Sequence, residues 1–576
     1  MKKVDPITLE IMRNAFQSIA DEMTAALVRT AYSTNIKDRR DCSCALLTTK
    51  GDVVAQTELG TPFHLGVMPA AVSVILQQCP LNQLEPGDVV ISNVPYPMGP
   101  GHLSDVTIMT PIFYRKKLVA LAANQAHQVD VGGYAPGSMP FGVTEIYQEG
   151  LQIPPIKLMK QNRMDEEILN LIMQNVRTRK VTQGDIMAQV AANNVAGQRL
   201  HELFDKYGTD QLLLYMKELL DYAERSMRAG IKKIPEGTYS FEDYVEGDGI
   251  TEDLVKIKAT ITVGKDRIVV DFAGTDKQAK GPINTRISAP QACVYYVMKC
   301  IIDPDLPTNS GAYRAIEVKA EEGSLVQAKY PAAVCNANII TDQRLVDVLL
   351  GALLQAVPDR IVAACSGEMN LINMGGFHPK TGEYYNYVET YGGGQGAARY
   401  QDGMDAVQTH MTNTRNAPVE IIEATYPFQI TRYGLVPNSE GAGKFRGGLG
   451  MTREIIMLGD ETTCSLSADR RQIGPWGVFG GRCGGRSDCV VVSANGKKTQ
   501  LPSKITTTLV KGDKVILVTP GGGGWEDPLK RDPEAVRRDV EKEYISIERA
   551  CEEYGVVIDR RTRQVDQAAT RKRRKQ

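Results

Sequence analysis

Residues 101–130 read GHLSDVTIMTPIFYRKKLVALAANQAHQVD and contain two apolar runs, 106–114 and 118–123. The polar interruption Arg115-Lys116-Lys117 between the runs is typical of a hairpin turn. If the hairpin is centred on Lys116, Asp105 lies directly opposite His127, and the two Cβ atoms are then about 4.5–5.5 Å apart. A register change of one residue would turn these side chains to opposite faces, so the register decides whether they meet.

A third suitable side chain lies close to this pair. His102 precedes Asp105 by three residues and follows Gly99-Pro100-Gly101, where an irregular backbone can turn it toward the same point. Two imidazoles and one carboxylate suit a divalent ion such as Zn²⁺ or Mn²⁺ and leave positions for water or substrate. Because His-x-x-Asp is a short pattern, unrelated hydrogen-bonded or surface residues explain it equally well at this stage.

Two aspartates are candidates for proton transfer, Asp41 and Asp130. Asp41 follows Arg39 and Arg40, which would keep a buried carboxylate ionised and suit it to bind a metal or act as a base. A surface charge cluster is the alternative explanation of that run. His64 can orient a carboxylate or simply lie at the edge of the core.

Composition excludes several classes of protein. The chain has 576 residues, of which 42% are hydrophobic and 23% charged, as in an ordinary globular protein. Its net charge of −1 provides no overall attraction for nucleic acid. The cysteines form no Cys-x-x-Cys pair, which argues against a zinc ribbon or a disulfide framework. No run of 18 apolar residues is present, so we expect no membrane association and a cytoplasmic location.

Periodicity predicts an α+β fold with mixed β-rich domains, a central helical segment and a C-terminal helix. Residues 1–30 form an amphipathic helix capped by Asp5, and residues 255–263 alternate like a half-buried strand. We divide the chain into an N-terminal α+β domain at 1–235 that holds the metal site and the helical segment, and a β-rich α+β domain at 236–530. Residues 531–576 are predicted to form one helix, ending near Tyr554, and a basic disordered tail.

Glycine-rich runs do not indicate a nucleotide site. Residues 392–397 fit a loose Gly-x-Gly-x-x-Ala spacing, but the strand–turn–helix frame of a dinucleotide fold is missing. No Gly-x-x-x-x-Gly-Lys-Ser/Thr sequence occurs either. We attribute these glycines to close packing or tight turns.

A series of short motifs, in order along the chain, resembles the hydantoinase B/oxoprolinase family. This family includes the second subunit of ATP-dependent hydantoinases and is related to subunits of acetone and acetophenone carboxylases. The matching motifs are Asp5-Pro6-Ile7-Thr8, Arg39-Arg40-Asp41, His64-Leu65-Gly66, Gly101-His102-Leu103-Ser104-Asp105, Asp130-Val131-Gly132-Gly133, Glu149-Gly150-Leu151, Met411-Thr412-Asn413-Thr414, Gly441-Ala442-Gly443-Lys444, Asp469-Arg470-Arg471 and Pro520-Gly521-Gly522-Gly523-Gly524.

The resemblance implies a division of labour between two subunits. A hydantoinase A-like partner with an actin-like ATPase fold would hold ATP-Mg and phosphorylate a carbonyl or enol oxygen, and the activated substrate would react in this chain. The metal ligands of the carboxylase relatives match His102, Asp105 and His127, with Asp41 as a nearby fourth ligand or catalytic carboxylate. The family also implies a heterotetramer or larger assembly. The chain departs from the family pattern at Val94 and Gln128, which leaves the substrate open.

The leading hypothesis is therefore the catalytic subunit of an ATP-dependent amidohydrolase that opens a cyclic amide such as a hydantoin or lactam. Metal-activated water would attack the phosphorylated substrate, and Asp41 or Asp130 would take the proton. A metal-dependent subunit of a ketone carboxylase is the second hypothesis. A non-catalytic scaffold for the ATPase is the third.

Overall fold

The N-terminal part of this computed structural model, which describes residues 4–575, combines long helices with short and long strands. In chain order these elements are α1 (Pro6–Thr30), α2 (Thr34–Lys37), β1 (Cys42–Leu47), β2 (Val53–Gln56), α3 (His64–Gln78), β3 (Val89–Ser92), β4 (Asp105–Tyr114), β5 (Lys117–His127), β6 (Ile156–Lys160), β7 (Arg163–Met164), α4 (Glu166–Gln174), α5 (Arg179–Tyr207) and α6 (Thr209–Ile231).

The strands of this part form one antiparallel sheet of order β2-β1-β5-β4-β3-β6-β7. Helices α1 and α5 share an apolar cluster with the sheet, while α3 packs in a second cluster that contains Leu121 and Ala123 of β5. Helix α1 begins as the sequence predicts, because the Asp5 carboxylate accepts a hydrogen bond from the Thr8 backbone N–H. The sheet is therefore covered on both faces, which buries the start of β4 and the end of β5.

The predicted register of the β4–β5 hairpin is confirmed: Asp105 pairs with His127. Arg115 and Lys116 form the two-residue turn, and both have a positive φ. A bulge between Ile112 and Phe113 shifts the pairing by one residue part-way along the hairpin. The register that brings Asp105 and His127 together thus depends on the turn and the bulge in combination.

The rest of the chain is richer in strands. Its elements are β8 (Gly237–Glu246), β9 (Leu254–Val263), β10 (Ile268–Asp271), α7 (Ser288–Ile302), β11 (Ile316–Lys319), α8 (Thr341–Leu353), β12 (Leu371–Phe377), β13 (Tyr384–Thr390), α9 (Val419–Thr425), β14 (Phe428–Leu435), β15 (Met451–Met457), β16 (Glu461–Ser467), β17 (Asp488–Val492), β18 (Lys498–Gln500), β19 (Lys504–Val510), β20 (Lys514–Val518), α10 (Pro533–Glu541), α11 (Ile547–Glu552) and α12 (Gln567–Arg574).

These strands form three further sheets, of order β11-β10-β9-β8, β13-β12-β16-β19 and β14-β15-β20-β17-β18. Helices α7 and α8 bury the first of them in a large apolar cluster. Phe63 and Val67, from the N-terminal part, belong to the same cluster, so the core continues across residue 235. The predicted α+β fold is confirmed. Within residues 4–575, no helix is both long and apolar enough to span a membrane.

The glycine-rich runs serve close packing of backbone against backbone. A Cβ atom on Gly394 would lie 2.0 Å from the Gly448 carbonyl oxygen, and one on Gly522 would lie 2.0 Å from the Gln395 carbonyl oxygen. Real Cβ atoms cannot approach other atoms so closely, so these positions require glycine. The segment that loosely matched a dinucleotide motif is therefore interlocked with two other loops.

The C-terminal region differs from the prediction in two ways. The single helix expected before Tyr554 is divided into α10 and α11, because Glu543 adopts a positive φ and Ser546 caps a new helix. The basic tail, predicted as disordered, forms α12, capped by Asp566. Arg574 of α12 donates hydrogen bonds to the carbonyls of Tyr554 and Arg531, so its charge is used to dock the helix.

A buried ionic network joins α8 to two of the sheets. Its members alternate in sign and balance in charge, three cations against three carboxylates. Asp469 lies 2.7 Å from Arg344 of α8 and 2.6 Å from Lys504 of β19. Arg470 lies 2.9 Å from Asp243 of β8 and 3.2 Å from Asp347 of α8. Removing one partner from such a buried pair costs about 3–5 kcal/mol, because the other charge is left uncompensated.

Gly66 allows α3 to pack directly against α7. A Cβ atom there would lie 2.6 Å from the Ala292 backbone nitrogen. We therefore expect Gly66→Ala to lower the thermal unfolding midpoint, with a loss of about 1–3 kcal/mol from overpacking. Gly197, in α5, is the matched control because nothing lies within 4 Å of its added Cβ. Gly197→Ala should leave the midpoint unchanged or raise it. Equal midpoints for the two variants would contradict the claimed contact.

Candidate metal centre

Three side chains with metal-binding groups converge at the open end of the hairpin. His102 lies in the turn before β4, Asp105 is the first residue of β4, and His127 is the last residue of β5. All three are at most 4% exposed. Their ligand atoms lie within 4.8 Å of one another. The structure thus brings together the three residues that the sequence singled out.

The hydrogen bonding of His102 fits a metal ligand. Its Nδ1 lies 3.0 Å from the Cys335 carbonyl oxygen, which can only accept, so Nδ1 carries a proton and Nε2 is the nitrogen left for a metal. Nε2 is buried without a hydrogen-bond partner and lies 3.1 Å from Asp105 Oδ2. A ligating histidine usually has one ring nitrogen bound to a carbonyl, while the other nitrogen faces the metal and has no other partner.

The charges at the site are strongly perturbed by burial and by one another. Burial raises the pKa of Asp105, but His102 and His64 outweigh it and hold this pKa well below its usual range. Burial lowers the pKa of His102, yet the Asp105 carboxylate reverses this and raises it to about 9. Burial, together with His102, lowers the pKa of His127 to about 4. The centre therefore contains an ionised carboxylate, a neutral His127, and a cationic His102 that must lose its Nε2 proton to bind a metal.

Neighbouring side chains orient these groups. His64 Nε2 lies 3.6 Å from Asp105 Oδ2, while its Nδ1 lies 2.7 Å from Ser43 Oγ. Of the two interpretations of His64, the structure supports the one in which it orients a carboxylate. On the other side, the Asn35 amide lies 3.2 Å from His127 Nδ1.

Asp41 lies beside the centre but outside the group of three. The His127 backbone N–H donates to the Asp41 carbonyl, and Thr61 Oγ1 donates to Asp41 Oδ1 at 3.0 Å. Arg39 is not its counter-ion, because its guanidinium donates to the Asn35 side chain, the Val388 carbonyl and Thr390. Asp41 is partly exposed, and Thr61 also lines a cavity of about 310 Å³. This carboxylate therefore lies on the solvent side of the three buried residues.

Asp130 has a different environment from the one expected of a base. Its carboxylate accepts hydrogen bonds from the backbone N–H groups of Gly132, Gly137 and Arg177, and from the Arg177 guanidinium. Four donors occupy both oxygens and leave no room for substrate or water. The geometry assigns Asp130 to holding the loop that follows β5, and gives its predicted catalytic role no support.

Two buried acids near the centre were missed by the sequence analysis. Glu149 Oε1 accepts the Cys335 backbone N–H at 2.8 Å, and the Cys335 carbonyl in turn anchors His102. Asp342, at the start of α8, has both carboxylate oxygens buried without a partner, and burial raises its pKa well above the usual range. The motif Glu149-Gly150-Leu151 was a signal for the first residue. Asp342 lies in no motif of the series.

Burial raises the pKa of Glu149 from 4.5 to about 7. The folded protein therefore binds this proton more tightly than the unfolded chain. The resulting stability is complete below about pH 4.5 and is lost as the pH rises through 7, by at most about 3 kcal/mol. Glu149→Gln retains the acceptor oxygen and cannot titrate. We expect its thermal unfolding midpoint, relative to wild type, to rise across this pH range.

Glu149→Ala is the matched control, because it removes the acceptor as well as the charge. It should be less stable than wild type at every pH in this range, since two backbone N–H groups lose their partner. A pH-independent difference between wild type and Glu149→Gln would contradict the raised pKa.

Comparison with known proteins places the chain in a family. The model of the hydantoinase B/oxoprolinase family matches residues 5–528. An uncharacterized protein of Methanocaldococcus jannaschii is 41% identical over 96% of each chain. A putative D-/L-hydantoinase subunit of Pseudomonas sp., of the B type, is 33% identical over 97% of this chain and 96% of its own.

Two solved structures share the fold. The crystal structure of the ATP-dependent caprolactamase from Pseudomonas jessenii matches with a TM-score of 0.92 and 31% identity, over 100% of both chains. Acetone carboxylase in its nucleotide-free form also matches with a TM-score of 0.92, over 99% of this chain and 82% of its own, at 20% identity. The family match over most of the sequence, together with relatives of the same length, leads to one conclusion. The chain belongs to the hydantoinase B/oxoprolinase family.

Proposed function

We propose that this chain is the catalytic subunit of an ATP-dependent cyclic amidohydrolase, and that a partner ATPase subunit phosphorylates its substrate. The observation that carries the proposal is the buried group of His102, Asp105 and His127, whose ligand atoms lie within 4.8 Å of one another. The names of the relatives supply the substrate class, since they include a hydantoinase subunit and a caprolactamase.

The residues of the group fit a divalent ion such as Zn²⁺ or Mn²⁺, because His102 Nε2 is buried beside an ionised carboxylate and the opposite nitrogen is already hydrogen-bonded to Cys335. When bound, such an ion supplies Lewis-acid chemistry: it polarises an oxygen and lowers the pKa of water. The chain's own contribution is to keep His102 in the ligating tautomer through Cys335 and to keep His127 neutral by burial. Asp105 is held ionised between His102 and His64.

Asp41 is our candidate for the group that accepts a proton from water. Its carboxylate is partly exposed and is oriented by Thr61, which also lines the cavity of about 310 Å³. A phosphorylated amide oxygen no longer shares the nitrogen lone pair as the free amide does, so the amide carbon becomes open to attack. Water then bonds to that carbon, its proton passes to Asp41, and the ring C–N bond breaks as nitrogen takes that proton and the proton of the new hydroxyl. This leaves an acyl phosphate, which a second water hydrolyses to the carboxylate and inorganic phosphate.

Ketone carboxylation remains the second candidate, because acetone carboxylase has the same fold over nearly the whole chain. A similarity at 20% identity carries the fold alone, so the reaction has to be decided by experiment. A scaffold without chemistry of its own is the third candidate, and the convergence of three buried metal-binding side chains with perturbed pKa values argues against it.

Replacing both histidines, in His102→Ala/His127→Ala, should remove one equivalent of bound metal and lower the turnover of the assembled enzyme by about 10³-fold or more, because Lewis-acid stabilisation is worth several kcal/mol. Metal is measured by mass spectrometry of the purified chain, and turnover by ring-opened product. His201→Ala is the control, since His201 lies exposed on α5 and its Nε2 hydrogen-bonds to the Phe113 carbonyl. Unchanged turnover in the double variant would support the scaffold instead.

The reaction class is decided by co-purifying the chain with a hydantoinase A-like ATPase subunit. The pair is given ATP and hydantoin, 5-oxoproline or caprolactam, with and without bicarbonate. We expect ADP and a ring-opened product that do not depend on bicarbonate. Gain of carbon that requires bicarbonate, with acetone as substrate, would overturn the hydrolase assignment. Turnover by this chain alone with ATP would contradict the two-subunit division.

A further inference from the structure

A second group of metal-binding side chains is buried away from the hairpin. It consists of Asp347 on α8, Cys365 in the segment before β12, and His410 in the segment before α9. Each is at most 7% exposed, and one ligand atom from each lies within 4.8 Å of the other two. None of them takes part in the centre described above. The three segments are far apart in sequence, so the fold has to bring them together.

The spacing between His410 and Asp347 is that of two ligands around one ion. His410 Nε2 lies 3.2 Å from Asp347 Oδ1. A hydrogen bond between a charged imidazole and a carboxylate is usually shorter, about 2.7–2.9 Å. Two atoms that are each about 2.0–2.1 Å from a tetrahedral Zn²⁺ are about 3.3 Å apart. The two side chains thus form a long hydrogen bond whose length also matches the separation of two ligands around one ion.

The surroundings stabilise the ligand forms of these side chains. The Gly396 backbone N–H points at Cys365 Sγ, with nitrogen 3.4 Å from sulfur, and such a donor favours the thiolate. Arg470 donates to Asp347 Oδ2 at 3.2 Å, and the Cys365 backbone N–H donates to Oδ1 at 3.2 Å, which holds Oδ1 toward Cys365 and His410. Outer partners of this kind orient the ligands of many metal sites. His410 has a positive φ of 58°, a strained conformation that coordination of its side chain would help to hold.

We propose that Asp347, Cys365 and His410 form a second metal site, which binds Zn²⁺ through one thiolate, one imidazole and one carboxylate. Sulfur selects Zn²⁺ over hard ions such as Mg²⁺, whereas the His102 centre contains no sulfur. On binding, the Cys365 thiol releases its proton to solvent and Sγ forms the bond to the metal. Water takes the fourth position. The ion crosslinks α8 to the segments around residues 365 and 410, and this inference does not depend on the reaction proposed above.

Cobalt substitution tests the site through its sulfur. The purified full-length chain is stripped of metal and reloaded with Co²⁺, and the near-ultraviolet absorption from thiolate-to-cobalt charge transfer is recorded. We expect this band in wild type with two cobalt ions per chain. Cys365→Ser should lose the band and one ion. His102→Ala should also lose one ion but keep the band. Cys464→Ser is the matched control, because Cys464 is equally buried in β16, and it should behave as wild type.

A wild-type chain without the band, or a band that persists in Cys365→Ser, overturns the proposal. If Cys365→Ser fails to fold, zinc-edge X-ray absorption of the His102→Ala chain decides the matter. One Zn–S distance of about 2.3 Å supports the site, and a shell of nitrogen and oxygen alone, or absence of zinc, overturns it.

Discussion

The buried ionic network of Arg344, Arg470 and Lys504 with Asp243, Asp347 and Asp469 is the constraint on which the arrangement of this molecule depends. It connects α8 with strands of two different sheets. Since buried charges are tolerated only when every partner is in place, the network allows α8 one position and direction. The loop that leads into α8 carries Cys335, whose carbonyl fixes His102. The geometry of the hairpin centre therefore rests on charges that lie outside it.

The centre itself shows how burial and neighbouring charges give similar side chains different protonation states. Asp105 stays ionised because two imidazoles face it, whereas Asp342, with no partner for either oxygen, is driven toward its protonated form. His102 and His127 differ in the same way. The Asp105 carboxylate raises the pKa of His102, whereas burial and the charge of His102 lower the pKa of His127. Four acids and imidazoles thus reach four different states within one buried region.

The sequence predicted the parts of this site that are local. Alternating apolar residues and a polar turn were enough to pair Asp105 with His127, and a flexible Gly-Pro-Gly segment was enough to bring in His102. Contacts between distant segments could not be predicted. No residue near Asp130 in the sequence indicates that Arg177 will bind the Asp130 carboxylate, together with three backbone N–H groups. Glu149 and Asp342 acquire their significance from the fold, as does the meeting of Cys365 with His410. The C-terminal helices differed from the prediction because α12 docks on backbone carbonyls, and composition alone does not predict such a contact.

The bulge between Ile112 and Phe113 has a consequence for how this fold can vary. Beyond the bulge the strands pair as Tyr114 with Lys117, and extending that pairing inward would place Asp105 opposite Ala126. The bulge lies seven residues from Asp105, about 24 Å along an extended strand. Surface hairpin tips normally accept gained or lost residues freely, but a change of one residue here would exchange an imidazole for a methyl group at the buried end. The length of the exposed tip is thus under the same selection as the buried site, although the tip does not contact that site. Hairpin length should vary among functional relatives only where a compensating bulge varies with it.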